Sequence, residues 1–216
     1  MNRWLRATLS LVFVGIAMVW MGSTSTSVAA GPAEKAKPLH ARAVISGPGG
    51  IFGEVDFKQH ACDGCPTPAD DKDDKEFKHF PEPTVDVDAH IFGPPAALGV
   101  GAHGIHIHEV GVCDPTSFAT AGSHFDPGPF GHNVPVDANH PYHMGDLPNL
   151  IVNHGGEGHL KHTTSRITLS PGPLSVFDAN GSAVVVHLNP DRGMTGVTGA
   201  SGGPRIACGV ILLVND

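Results

Sequence analysis

The sequence is poor in the features that most function classes need. It has one tyrosine, two tryptophans and 6% aromatic residues overall, a scarcity that suits short strands joined by many turns. Positive charge is scarce: 13 Lys and Arg stand against 21 Asp and Glu. A formal charge of −8 makes nucleic acid and anionic lipid poor partners. No segment sustains apolar residues at i, i+3, i+4 and i+7 with caps at its ends, so helices have little to form on. Beyond the first thirty residues there is no long apolar run, which excludes a later helical membrane span. Cysteine is limited to four residues.

That one apolar run, about Leu9 to Met21, follows Arg3 and Arg6 and precedes Val28-Ala29-Ala30. These are the three parts of a secretory signal, and cleavage after Ala30 is expected; an uncleaved anchor is the alternative, but the run is short for a span. Losing the two arginines would take the formal charge from −8 to −10. Residues 31–216 then form one exported domain, periplasmic or extracellular, where an even number of cysteines reads as disulfides.

What is abundant is glycine (28), proline (19) and histidine (15), a composition of short strands and many turns. Alternation of apolar and polar residues predicts strands at His40–Ile45 and Ile51–Lys58 around the Gly47–Gly50 turn, and at Thr84–Ile91. Further strands are expected around Gly104–Cys113 and at Leu147–Val152, Arg166–Leu169, Ala183–Leu188 and Arg205–Val214. Between Gln59 and Pro83 lies an acidic insertion with Cys62, Cys65 and four prolines, which can bury little. Its Cys62 and Cys65 read as a local disulfide; a metal site with His60 and His79 is the alternative. His154, His159 and His162 read as solvated residues of a Gly-rich turn. Eight strands and two long loops, Asp114–Pro148 and Asn189–Pro204, make an all-β Greek-key sandwich or barrel.

The chemistry gathers in GIHIHEVGVC, Gly104 to Cys113. His106 and His108 leave one face of a strand, roughly 6 to 7 Å apart, and Ile105 and Ile107 leave the other; such a pair can converge on one transition metal. The first long loop adds His124, His132, His140, His143 and Asp146. Three imidazoles and a carboxylate suit a closed zinc site. His187, ending AVVVH, offers the opening pair another nitrogen.

In this order GIHIHEVGVC, AGSHFDPG, HMGDLPN, VVVH with Asp191 after it, and GGPRIACGV resemble the copper/zinc superoxide dismutase family, from about Ala41 to Asn215 apart from the insertion. The resemblance implies copper on His106, His108, His124 and His187, and zinc on His124, His132, His143 and Asp146, with His124 shared. It implies Asp191 as an acceptor tying the two sets together, a Cys113–Cys208 disulfide, and Arg205 beside the copper attracting an anion. It also implies alternating copper reduction and oxidation on superoxide, with His124 releasing copper and carrying a proton, and a possible homodimer. His140 has no counterpart in that set. The loop before Arg205 is short, and Arg192 is its only internal cation, so the family's charged guidance loop does not map onto it. A copper- and zinc-binding storage or delivery protein without catalysis is the alternative.

Overall fold

A computed structural model describes residues 39–60, 83–127, 143–193 and 201–214. The predicted signal segment, Cys62 and Cys65, and His132 and His140 lie outside the described residues. Those that are described fall within one compact unit, Ala36–Asp216.

Alternation builds the strands. In β1 (Leu39–Gly47) Ala41, Ala43 and Ile45 are buried, in β2 (Ile51–Gln59) Ile51, Val55 and Phe57, and in β3 (Val85–Phe92) Val85, Val87, Ala89 and Ile91. Every second residue therefore enters one core, and each fully buried branched or aromatic side chain contributes about 1.5–3 kcal/mol. The chain continues through β4 (Gly101–His103), β5 (Ile105–His108), β6 (Leu150–Val152), β7 (Glu157–Thr164), β8 (Ala183–His187) and β9 (Arg205–Leu213). All pairings are antiparallel, in the order β4-β6-β7-β3-β2-β1-β9-β8-β5.

The two edges of that order, β4 and β5, are separated in sequence by Gly104 alone. The sheet thus curls until its ends are one run of chain, Gly101–His108, which nearly closes the barrel and leaves no long free edge among the described residues. Counted as one strand, this run reduces the nine segments to eight, the number expected, although one of the eight lies elsewhere in the chain. Gly104 bridges the junction by donating its N–H to Asn189 O and accepting from His187 N. The site-bearing strands are thereby fixed to each other through backbone.

One strand differs from expectation. Arg166–Leu169 makes only an isolated bridge, Thr168 to Ser175, while Glu157–Thr164 forms β7 and pairs with β3 along its whole length. His159 and His162 accordingly belong to a strand rather than a turn; His154 does sit in the turn before it. The inward positions of β7 are Gly158, Leu160, the half-buried His162 and Thr164, so a single large apolar residue carried the alternation. Gly158 leaves room there for Leu150, since a Cβ would stand 2.9 Å from Leu150 Cδ2 and that side chain would have to shift.

Candidate metal centre

Alternation in β5 sends the two rings of His106 and His108 to one side with centroids 6.3 Å apart, as strand geometry requires. Neither residue is exposed at all. β8 lies beside β5 with His106 opposite Val185. At its end the β8–β9 register slips between Val186 and His187, so that His187 faces Arg205; such a bulge re-aims a side chain at the rim of a barrel. His187 then lies 4.8 Å from His106 and 5.7 Å from His108, centroid to centroid.

The loop after β5 returns across the same end. His124 bridges to His108 through backbone and Asp146 to His106, and the His124 ring lies 4.1 Å from that of His106. His106, His108, His124 and His187 each bring a ring nitrogen to within 4.8 Å of the others; His124, His143 and Asp146 form a second such group.

Hydrogen bonds decide which nitrogen faces inward. His106 Nε2 donates to Asp191 Oδ2 at 2.7 Å, His108 Nδ1 to Gly122 O at 3.0 Å, and His187 Nδ1 to Gly203 O at 2.9 Å. Each partner only accepts, so each of these nitrogens carries the proton and the opposite one is left with a lone pair. Those opposite atoms, His106 Nδ1, His108 Nε2 and His187 Nε2, are buried and have no hydrogen-bond partner. A single buried polar atom without a partner costs free energy. Three that converge make an electron-pair-donor site that a cation satisfies.

The electrostatics keep these lone pairs in place. Burial pushes His106 down, His108 to about 2 and His187 to about 3, so all are neutral and ready to ligate. Burial alone would raise Asp146, but hydrogen bonds from His124 Nδ1 (2.6 Å to Oδ1) and His143 outweigh it and hold the carboxyl well below the usual range. His143 N also donates to Asp146 Oδ2 at 2.8 Å. The Asp146 bond raises His143, with burial opposing. Asp191 is likewise lowered: burial opposes, but His106 and the Gly193 N–H prevail. His124 uses Nδ1 on the carboxylate side, which leaves Nε2 for the histidine cluster.

Arg205 opens β9. Its guanidinium donates to Phe118 O at 2.7 Å and Gly122 O at 2.6 Å. The Gly122 carbonyl therefore serves both Arg205 and His108. Gly122 has φ 75°, and a Cβ there would meet Glu109 Cγ at 2.7 Å, so only glycine presents its carbonyl this way. The Cys113–Cys208 disulfide, Cα to Cα 5.7 Å, pins this loop to β9.

Three residues escaped the sequence reading. Buried His103 donates Nδ1 to His187 O at 2.9 Å. Asn149 clasps the backbone of Asp191 from both sides, at 2.9 and 2.8 Å. Arg166 Nη1 donates to His143 O at 3.1 Å and its Nη2 to Asp146 O. All three hold backbone rather than metal, and only the density of polar residues beside the motifs hinted at them. His60 instead pairs with Asp86 at 2.6 Å.

A sequence model described as copper/zinc superoxide dismutase (SODC) matches residues 72–211. The chain belongs to the copper/zinc superoxide dismutase family. It is 38% identical over 129 residues to a superoxide dismutase [Cu-Zn] of Deinococcus radiodurans, covering 56% of this chain and 68% of that one. It is 40% identical over 127 residues to superoxide dismutase [Cu-Zn] 2 of Brassica juncea, covering 56% and 78%. Among solved structures it is similar to a double mutant of a SOD-like protein from Bacillus subtilis, at TM-score 0.55 and 29% identity over 78% of this chain and 95% of that one. The chain thus combines that membership with an all-β barrel, histidine clusters able to hold metal and a disulfide. No helix among the described residues is long and apolar enough to cross a membrane.

Proposed function

We propose that this chain is an exported superoxide dismutase that holds copper on His106 Nδ1, His108 Nε2, His124 and His187 Nε2, and zinc on His124, His132, His143 and Asp146. The reading rests on one observation above all: three buried lone pairs without partners converge beside an imidazole whose other nitrogen already meets a carboxylate. The nitrogen-rich set suits copper and the imidazole–carboxylate set suits zinc. When bound, the copper supplies a one-electron redox couple and the zinc a fixed charge, through which two superoxide anions and two protons become O₂ and H₂O₂.

The protein's own part is to hold and to deliver. Asp191, Gly122 O and Gly203 O fix each ring and its tautomer, so the lone pairs need no reorganisation when the charge at the centre changes. His124 Nε2 would carry a proton in one half of the cycle, while its Nδ1 stays on the side of Asp146 and the zinc ligands. Arg205, bonded to Phe118 O and Gly122 O, stands opposite His187 in register with further N–H groups of its fork available to an anion. In an acidic chain this local cation supplies the attraction that the net charge does not. The leader at residues 1–30 delivers the chain to a compartment that preserves the Cys113–Cys208 disulfide.

Loading the full chain with copper and zinc and following superoxide loss tests this reading. Consumption that tracks copper occupancy, and falls with Arg205→Ala at unchanged copper content, is the expected result. Protein at full occupancy that is no faster than chelated buffer would leave a metal-storage role.

A further inference from the structure

A second group of ligand-type side chains lies far from the buried centre, on the outward face of β3 and β7, four strands from β8 in the sheet order. His90 on β3 is directly opposite His159 on β7, and Asp88 is opposite Lys161. Period-2 geometry then puts Asp88, His90, His159 and Lys161 on one face. The His90 and His159 ring centroids are 3.9 Å apart. Asp88 Oδ1 is 3.1 Å from His159 Nε2 and 3.4 Å from His90 Nε2.

We propose that Asp88, His90 and His159 bind one borderline divalent cation, Zn²⁺ or Cu²⁺, taken from solvent and independent of the buried centre. Bonds of about 2.0–2.1 Å in a tetrahedral arrangement require ligand atoms roughly 3.3–3.4 Å apart, and the two separations from Asp88 Oδ1 bracket or meet that edge. Two imidazoles with one carboxylate select this class of ion over Ca²⁺ and Mg²⁺, which take oxygen shells. Two imidazolium rings this close would repel, whereas one dication between neutral rings replaces both protons. The side chains of Asp88, His90 and His159 are 39%, 44% and 45% exposed, so an ion has direct access and keeps solvent in its remaining positions. The surrounding charges permit a cation: Glu54 and Asp56 flank the group on β2, opposed by Arg42 and by Lys161, whose Nζ is 3.0 Å from Asp88 Oδ2. Lys161 is the built-in competitor for the carboxylate.

The test titrates Zn²⁺ into the full chain whose buried centre is already loaded with copper and zinc, by equilibrium dialysis with imidazole proton resonances followed in parallel. One additional equivalent is expected in the unaltered protein, with the His90 and His159 signals moving first, and that equivalent is lost in His90→Ala/His159→Ala. Lys161→Met, which removes the competitor without touching a ligand, should tighten binding roughly threefold or more. Thermal melts establish that the variants are folded; should the double histidine variant fail to fold, Asp88→Asn serves, with an expected loss of about tenfold or more in affinity. The proposal is overturned if the unaltered protein takes up no additional ion, or if the extra equivalent survives removal of both histidines.

Discussion

Cutting the Cys113–Cys208 bond is the perturbation whose magnitude the structure sets most directly. The bond joins residues 95 positions apart. In the chain-entropy treatment, closing a loop of that length in the unfolded state is worth about 4.7 kcal/mol at 25 °C. Some of this is lost because real denatured chains retain structure, so about 3–5 kcal/mol is the expected range. Cys208 is fully buried against Phe118, Ala121, Ala183 and Val185, which makes Cys113→Ala/Cys208→Ala the suitable variant: alanine introduces no unpaired polar group. Urea unfolding of the metal-free chain, with m near 2 kcal/mol per molar, should show a midpoint lower by roughly 2 M. The effect should also reach the centre. The loop that the bond pins carries Gly122, whose carbonyl orients both His108 and Arg205, so copper loaded on the variant should give a broadened, heterogeneous paramagnetic signal. A stability loss under about 1 kcal/mol with an unchanged copper spectrum would refute the reasoning that the disulfide holds this loop.

Other substitutions separate the two halves of the centre. His187→Ala removes one converging lone pair and should abolish copper binding while zinc binding persists; Asp146→Ala should do the reverse, as metal analysis after dialysis will show. Asp191→Ala takes away the acceptor that fixes His106 and should weaken copper retention against a chelator by about 10–100-fold. The metal-free protein should be acid-labile. His108 and His187 stay neutral in the fold down to about 2 and about 3, whereas in the unfolded chain they take up protons below about 6.5. Their full contribution is therefore present above that pH and is lost as pH falls toward 3, at about 1.4 kcal/mol per pH unit for each. Urea midpoints flat between pH 7 and 4 would contradict it.

Where side chains alternate cleanly, the sequence alone locates the strand. β1, β2 and β3 present three or four inward apolar residues each, and their ends fall within a residue or two of expectation. β7 was hidden because Gly158 and Thr164 occupy inward positions and three histidines around them suggest solvent. What makes Glu157–Thr164 a strand is pairing with β3, a tertiary fact that no local pattern carries. The opposite error, a strand at Arg166–Leu169, has the same origin: Ile167 and Leu169 are buried without a neighbour to form a ladder. The sequence pattern left sandwich and barrel open, and what decides for the barrel is Gly104, which lets one run of chain serve as both edges of the sheet.

The ligand-type residues could be found in the sequence because metal chemistry needs particular side chains at particular spacings. Their tautomers could not, because these are set by backbone carbonyls whose positions only folding determines. Gly122 O accepts from His108 and Arg205 together, and that double use couples the orientation of the His108 ring to the Arg205 guanidinium. A change at either end should be felt at the other: Arg205→Lys keeps the charge but cannot reproduce the planar fork that spans Phe118 O and Gly122 O. It should therefore disturb the His108 side of the copper signal as well as lower superoxide consumption. If Arg205→Lys slows consumption through charge placement alone, with a copper spectrum superimposable on that of the unaltered protein, then the shared carbonyl is a packing detail and not the link between Arg205 and His108.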